Sequence, residues 1–418
     1  MFFDVRKEER EFRGLEIEEG DVNVISHSTS LVGVRYVDKG VGFVVSNEFH
    51  PKMLEEAKRL SIGRGVRVRR WKRVELRKPL KLEEQPLDLV DEIYELLNDE
   101  VIKHRVVGIY EVKRHVEYEN SEGSEAGYDV KRTSVKVVIR SEGLDVNFLV
   151  KGFLNENVRM KDIEKDVNKL VEELKLMGRA RHAPAGRMPV LLDPELAGVF
   201  FHEAVGHACE GDAVLEGTSV LRGKLGERIA PETVTLYDDP TQKGFGYFPL
   251  DDEGVKARRR ALIESGVLKD YLHSRESAAK LEGVPGNGRA ESAAHLPLPR
   301  MSNTVLEKGD SSFEEMLEEM KEGVYMRGSL GGVVEPSHGF FLFSAKYGFL
   351  VRNGEIAEPV KGVSLSGDVL RTLWDIVLIG KRRYWVGSGY CGKLGQTVPV
   401  DQKMPFILLR EAVVGGRI

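Results

Sequence analysis

Cysteine is nearly absent from this 418-residue chain: Cys209 and Cys391 are the only two. A bridged secreted scaffold of this length would carry more, so a disulfide framework is excluded as the organising device and a reducing cytoplasm is expected. Long apolar runs are also missing. The opening segment Met1-Phe2-Phe3-Asp4-Val5-Arg6-Lys7-Glu8-Glu9-Arg10 turns charged almost at once, and no later stretch approaches the ~20 apolar residues of a membrane span. A surplus of one charge is lacking too. With 62 Lys+Arg against 67 Asp+Glu the net charge is −5, which offers no general attraction to nucleic acid or anionic lipid. Gly and Pro together are too few for a low-complexity chain, while 41% apolar residues suffice for a folded core.

What is present suggests an α+β protein of two domains. In the first, residues 1–182, Leu31–Ser46 reads as two short strands around Asp38-Lys39-Gly40. Leu89, Val90, Ile93, Leu96, Leu97 and Val101 recur at helical spacing within 88–105. A β-hairpin runs from Val135, Val137 and Ile139 to Leu144, Val146, Phe148 and Val150 across Ser141-Glu142-Gly143. Met160, Ile163, Val167, Leu170, Val171 and Leu174 then mark a helix that Gly178 should stop.

The Pro/Gly-rich and basic segment Arg179–Arg187 reads as a boundary, and residues 188–418 form the second expected domain. It opens with a strand at 189–192 and a helix capped by Asp193 with Pro194 in its first turn. The glycine- and strand-rich remainder, with helices near 310–322 and 368–379, suggests a large curved, mainly antiparallel sheet carrying that first helix.

The chemistry concentrates in Phe201-His202-Glu203-Ala204-Val205-Gly206-His207. Two histidines flanking a glutamate suit a metal that activates water, with the carboxylate as base. At about 100° per residue, a five-residue spacing leaves the two imidazoles about 140° apart on a regular helix. The spacing therefore predicts a wider turn, such as a π-bulge, or unwinding at Gly206, where freedom in φ would permit either. A third ligand is required, and Cys391, Cys209, Glu210 and Asp212 all qualify by type. Cys391 sits in the Gly-rich stretch 387–396, read as a loop, where Lys393 would favour a thiolate.

Taken in order, several segments resemble the TldD/PmbA family, in its TldD-type branch. They are His202-Glu203-Ala204-Val205-Gly206-His207 through Glu210-Gly211-Asp212, Gly217-Thr218-Ser219, Asp251-Asp252-Glu253-Gly254, Gly286-Asn287-Gly288-Arg289, Ala294-His295-Leu296-Pro297 through Arg300-Met301-Ser302-Asn303-Thr304, Pro359-Val360-Lys361-Gly362, and Cys391-Gly392-Lys393-x-Gly395-Gln396. The resemblance implies a zinc-dependent peptidase (Zn2+ held by His202, His207 and Cys391) in which Glu203 is the general base on the metal's water. It also implies unfolded or leader peptides as substrates and a TldE/PmbA-type sister subunit in a heterodimer, with a homodimer as the other assembly. A non-catalytic, peptide-binding or regulatory subunit of such a complex is the alternative. Two departures stand out: the strand unit around Gly33–Phe43 comes early, without a preceding helix, and position 209 is Cys where a small or apolar residue is usual.

Other candidates read more simply as structure. Glu210 and Asp212 suit either orientation of the histidines or helix capping. His295, Tyr390 and His338 are possible oxyanion donors. The basic stretch Arg64–Lys78 around Trp71 reads as a solvated strand face partnered by Glu83-Glu84, so no nucleic-acid binding is expected.

Overall fold

The computed structural model describes residues 1–63, 65–143 and 145–415. Its first sheet is built from two very long hairpins. Strands β1 (Phe2–Glu18) and β2 (Asp21–Val37) pair in register from Phe2↔Val37 to Glu18↔Asp21. Glu19 and Gly20, both at positive φ, make the two-residue turn. After β3 (Val41–Ser46), α1 (Lys52–Leu60), β4 (Glu75–Lys78) and α2 (Leu89–Leu96), the second hairpin joins β5 (His104–Asn120) to β6 (Glu125–Arg140), and β7 (Val146–Leu154) and α3 (Met160–Arg179) follow. The order is β3-β2-β1-β5-β6-β4, with β7 also on β6.

The charged amino-terminal run is therefore a strand, which charge had concealed. Its buried positions include Asp4, Arg6 and Glu8, and burying such groups requires partners that sequence alone does not reveal. Arg35 Nε donates to Asp4 Oδ2 at 3.0 Å and its Nη1 to Glu253 Oε1 at 2.6 Å. Arg114 Nη2 lies 3.0 Å from both Glu8 and Asp252. Arg275 Nη1 reaches Glu122 Oε2 at 2.6 Å. The N-terminal sheet is thus joined to residues 245–300 by buried ion pairs, alongside an apolar cluster of Val116, Tyr118, Tyr128 and Val130 with Leu250.

Two helical expectations shorten. The run within 88–105 is helical only over Leu89–Leu96, because Asp99 Oδ1 takes the Val101 amide in a turn and β5 starts at His104. The run 368–379 divides into a helix, Val369–Trp374, and a strand, Ile376–Ile379. By contrast α3 runs one residue through Gly178, with Ile163, Val167, Leu170 and Leu174 buried. The 135–150 hairpin is present as β6–β7, though Leu144 lies outside the described residues.

Beyond β8 (Arg181–His182) and β9 (Gly186–Leu192) lies a ten-stranded, mainly antiparallel sheet with β9 near its middle. Among the described residues only β9 with Gly323–Arg327 and β8 with Glu355–Lys361 pair in parallel there. Helix α4 (Pro194–Val199) leaves the end of β9, with Asp193 accepting from the Leu196 amide at 2.9 Å and Pro194 at the first helical position. A second, six-stranded sheet ends in the hairpin of Tyr384–Lys393 and Gln396–Met404. The α4 backbone lies against that hairpin: a Cβ on Gly198 would sit 3.2 Å from Gln402 and 3.3 Å from Val386.

The basic stretch forms a ladder only at Glu75–Lys78, parallel to β6, and Arg64 lies outside the described residues. Arg258 covers the Trp71 ring at 5.6 Å, and Glu84 pairs with Arg13 and Lys113 rather than with the stretch. No described helix is long and apolar enough to cross a membrane.

Replacing Arg35 with Met keeps the volume but leaves Asp4 and Glu253 buried without their cation. Arg35→Met should cost about 3–5 kcal/mol, read as a lower midpoint in guanidinium unfolding.

Candidate metal centre

The wide turn that the histidine spacing demands is present. Phe200–Gly206 is π-helical, and the His207 amide donates to the His202 carbonyl five residues back. This brings the two imidazoles to a centroid separation of 5.4 Å at 84°. The turn is held by burial: Phe200 and Phe201 are fully covered, edge to face at 5.2 Å, and Phe200 meets Phe341 at 5.3 Å. Burying each phenyl ring contributes about 1.5–3 kcal/mol.

Gly206 serves the turn differently from expectation. Its φ and ψ are −61° and −52°, ordinary helical values that use none of glycine's extra freedom. What matters is the missing side chain, since a Cβ there would lie 2.0 Å from Met301 Sδ.

Cys391 approaches from the other sheet. It lies on the strand Tyr384–Lys393 rather than in a loop, paired with Val398, and the flexible-looking glycines mark an irregular register between Val386 and Gly389. Its Sγ is 3.4 Å from His207 Nε2, and donor atoms of His202, His207 and Cys391 all lie within 4.8 Å of one another. Among the described residues no other His, Cys, Asp or Glu group clusters so tightly. Cys209 is wholly buried in the core, its thiol pushed up by burial and by Asp270 and Glu210, and it takes no part in this cluster.

The surrounding charges favour an anionic sulfur. Burial alone would raise the Cys391 thiol, but His202 and His207 outweigh it and hold it at about 5. Both imidazoles are shifted up, burial being opposed at His202 first by Cys391 and at His207 first by Glu210. Glu210 Oε2 is 3.1 Å from His207 Nδ1, so the carboxylate accepts a hydrogen bond from Nδ1–H and leaves Nε2 facing Cys391. The Glu210 carboxyl, despite burial, is held below its usual range by His207 and Lys393. Asp212 orients neither histidine. It binds Lys393 Nζ at 2.7 Å, and Glu210 binds the same ammonium at 2.8 Å, so Lys393 serves the carboxylates.

Glu203 is the half-exposed member, with Oε2 3.6 Å from His207 Nε2. It borders a cleft of about 370 Å³ whose walls include His207, Glu216, Lys393 and Val334–Ser337. The three oxyanion candidates do not line it. His295 is bound to Ser292 at 2.9 Å, His338 is 82% exposed, and Tyr390 meets Phe245 edge to face from the strand face opposite Cys391. Sequence reasoning passed over Arg300, a fully buried cation behind the site; its signal was a lone charge within the apolar stretch 296–301.

Residues 185–416 match the family described as the PmbA/TldA metallopeptidase C-terminal domain. A protein of Archaeoglobus fulgidus named "Metalloprotease" is 39% identical, covering 99% of both chains. One of Saccharolobus solfataricus named "Zinc metalloprotease TldD homolog" is 35% identical over 76% of this chain and 72% of its own. The crystal structure of TldE from Thermococcus kodakarensis shares the fold at a TM-score of 0.75 and 20% identity, covering 99% of this chain and 97% of that one.

Two substitutions test the supports of the histidines. Gly206→Ala must displace Met301 and should cost about 1–3 kcal/mol in denaturant unfolding. Glu210→Gln should weaken metal binding about 10–100-fold in competition with a chelator, because a neutral amide is a weaker acceptor for His207 Nδ1–H than the carboxylate.

Proposed function

Because this chain belongs to the TldD/PmbA metallopeptidase family, we propose that it is a zinc-dependent peptidase hydrolysing unfolded or leader-type peptides, with His202, His207 and Cys391 as ligands and Glu203 as base. The observation that carries this reading is the convergence of two imidazoles and a thiol beside a carboxylate that opens on a cleft. The donors fit the ion. Two nitrogens and one sulfur with a position left over is a catalytic zinc set, and tetrahedral bonds of ordinary length separate N and S donors by about 3.5 Å, close to the 3.4 Å between His207 and Cys391. His202 Nδ1, buried with no hydrogen-bond partner, is a further donor atom without another use among the described residues.

Bound there, zinc supplies Lewis acidity toward the scissile carbonyl and lowers the pKa of water. The chain's own part is proton handling and positioning. Glu203 is near enough to the cluster to take a proton from attacking water and exposed enough to pass it to the departing amine. Glu210 keeps His207 in one tautomer throughout. An extended peptide fits the wall at Gly332–Glu335, the terminal strand of the large sheet, whose outer edge is free among the described residues to pair with another backbone.

The remaining parts of the reading follow from this site. A catalytic chain with a TldE-type sister subunit, or with a second copy of itself, is favoured over a non-catalytic subunit because Glu203 stands at the cleft with its metal set complete. A thiolate ligand suits a reducing cytoplasm. The matched segment begins at residue 185, which supports dividing the chain into parts 1–182 and 188–418.

Metal content by mass spectrometry and hydrolysis of an unfolded test peptide separate the roles. Wild type should carry zinc near one equivalent, and His202→Ala, His207→Ala and Cys391→Ala should each lose it. Glu203→Ala should retain zinc while hydrolysis falls about 10²–10⁴-fold. Full zinc in the ligand variants, or full activity in Glu203→Ala, would refute the assignments.

A further inference from the structure

Arg300 is completely buried, and each nitrogen of its guanidinium is directed at something that supports a metal donor. Nη2 donates to the carbonyl of Cys391 itself. Nη1 donates to the Gln396 carbonyl at 3.4 Å, across the hairpin turn from Cys391. Nε faces Glu210 Oε1 at 3.8 Å, and neither atom has a hydrogen-bond partner of its own. Glu210 in turn holds His207 Nδ1. One planar cation thus spans the supports of two donors that are 184 residues apart in the chain.

The backbone of Arg300 is anchored without its side chain. Its amide donates to the Asn287 carbonyl at 2.9 Å, and Asn287 Nδ2 donates back to its carbonyl at 3.4 Å. Two residues on, Asp238 takes the Ser302 amide and hydroxyl at 2.7 Å each. The path of this segment is therefore set by Asn287 and Asp238, which leaves the guanidinium to a separate task.

Building on the reading of His202, His207 and Cys391 as a metal site, we infer that Arg300 is a positioning residue that holds the Cys391 strand and the Glu210–His207 pair at the separation a single ion requires. Lysine is a poor substitute, because a point charge on a flexible stem cannot reach Glu210 and two carbonyls together as a planar fork does. The contribution of Arg300 is to metal affinity and to thiolate ligation, with the fold largely set by other groups.

The test uses the full chain with cobalt(II) in place of zinc, reading the thiolate-to-cobalt charge-transfer band and the dissociation constant from chelator competition. Thermal unfolding of the metal-free proteins serves as the control for folding. Arg300→Gln should bind cobalt about 10–100-fold more weakly, with a reduced band, while the metal-free chain still folds and unfolds cooperatively, at a midpoint lowered because two buried carbonyls lose their donor. Arg300→Lys should recover part of the affinity and less of the band. If Arg300→Gln does not fold, Arg300→Lys decides: at least tenfold weaker binding supports the inference, and wild-type affinity with a wild-type band overturns it. Wild-type behaviour of Arg300→Gln also overturns it, as does failure of both variants to fold, which would assign Arg300 to the fold. A wild-type chain with no charge-transfer band would instead refute the metal site itself.

Discussion

The hydrogen bond from the His207 amide to the His202 carbonyl governs the site. In a regular helix that amide would bond to Glu203, and the two imidazoles would diverge. Widening the turn by one residue turns both histidines toward the same point, but a π turn is rarely favoured by its own backbone. It persists because Phe200 and Phe201 are locked into the core on one side and Met301 occupies the space beside Gly206 on the other. Met301 belongs to the segment that carries Arg300, so the same few residues limit the turn sterically and approach the thiol strand electrostatically.

Much of this was legible from spacing and type. The five-residue interval between histidines required a distorted turn on steric grounds alone, and Asp193-Pro194 marked the helix start that leads into it. The same logic named the wrong property of Gly206, because local sequence speaks to backbone freedom and is silent about a sulfur arriving from 95 positions away. Cys391 was placed in a loop for a similar reason: glycines that ease an irregular strand register resemble glycines that end strands. The largest gap was β1, where the unbroken charged run Arg6–Glu11 hides any strand alternation. Arg35 and Arg114, the partners that permit its burial, lie on β2 and β5, and one sequence does not display such pairing.

Charge in this protein is arranged in depth. The sulfur faces two imidazoles, one imidazole is held by Glu210, and Glu210 is met by Lys393 and Arg300. Each successive group offsets the burial of the one before it, as groups in a low-dielectric interior must if they are to remain ionised. Glu203 stands outside this chain of buried partners, with 44% of its side chain open to the cleft. The role proposed for it, exchanging protons with water, requires the member left accessible.

The proposed third donor, Cys391, rides on Tyr384–Lys393, the terminal strand of the six-stranded sheet, bonded among the described residues along one side by Gln396–Met404. Terminal strands are where native sheets open first. The two histidines, by contrast, are embedded in a core helix and stay where they are when that hairpin breathes. An ion bridging the two elements would act as a rivet on a sheet edge, so its departure would follow the fraying rate of the hairpin. A chelator would then gain access in step with amide exchange at Gly389–Lys393, ahead of any unwinding at His202.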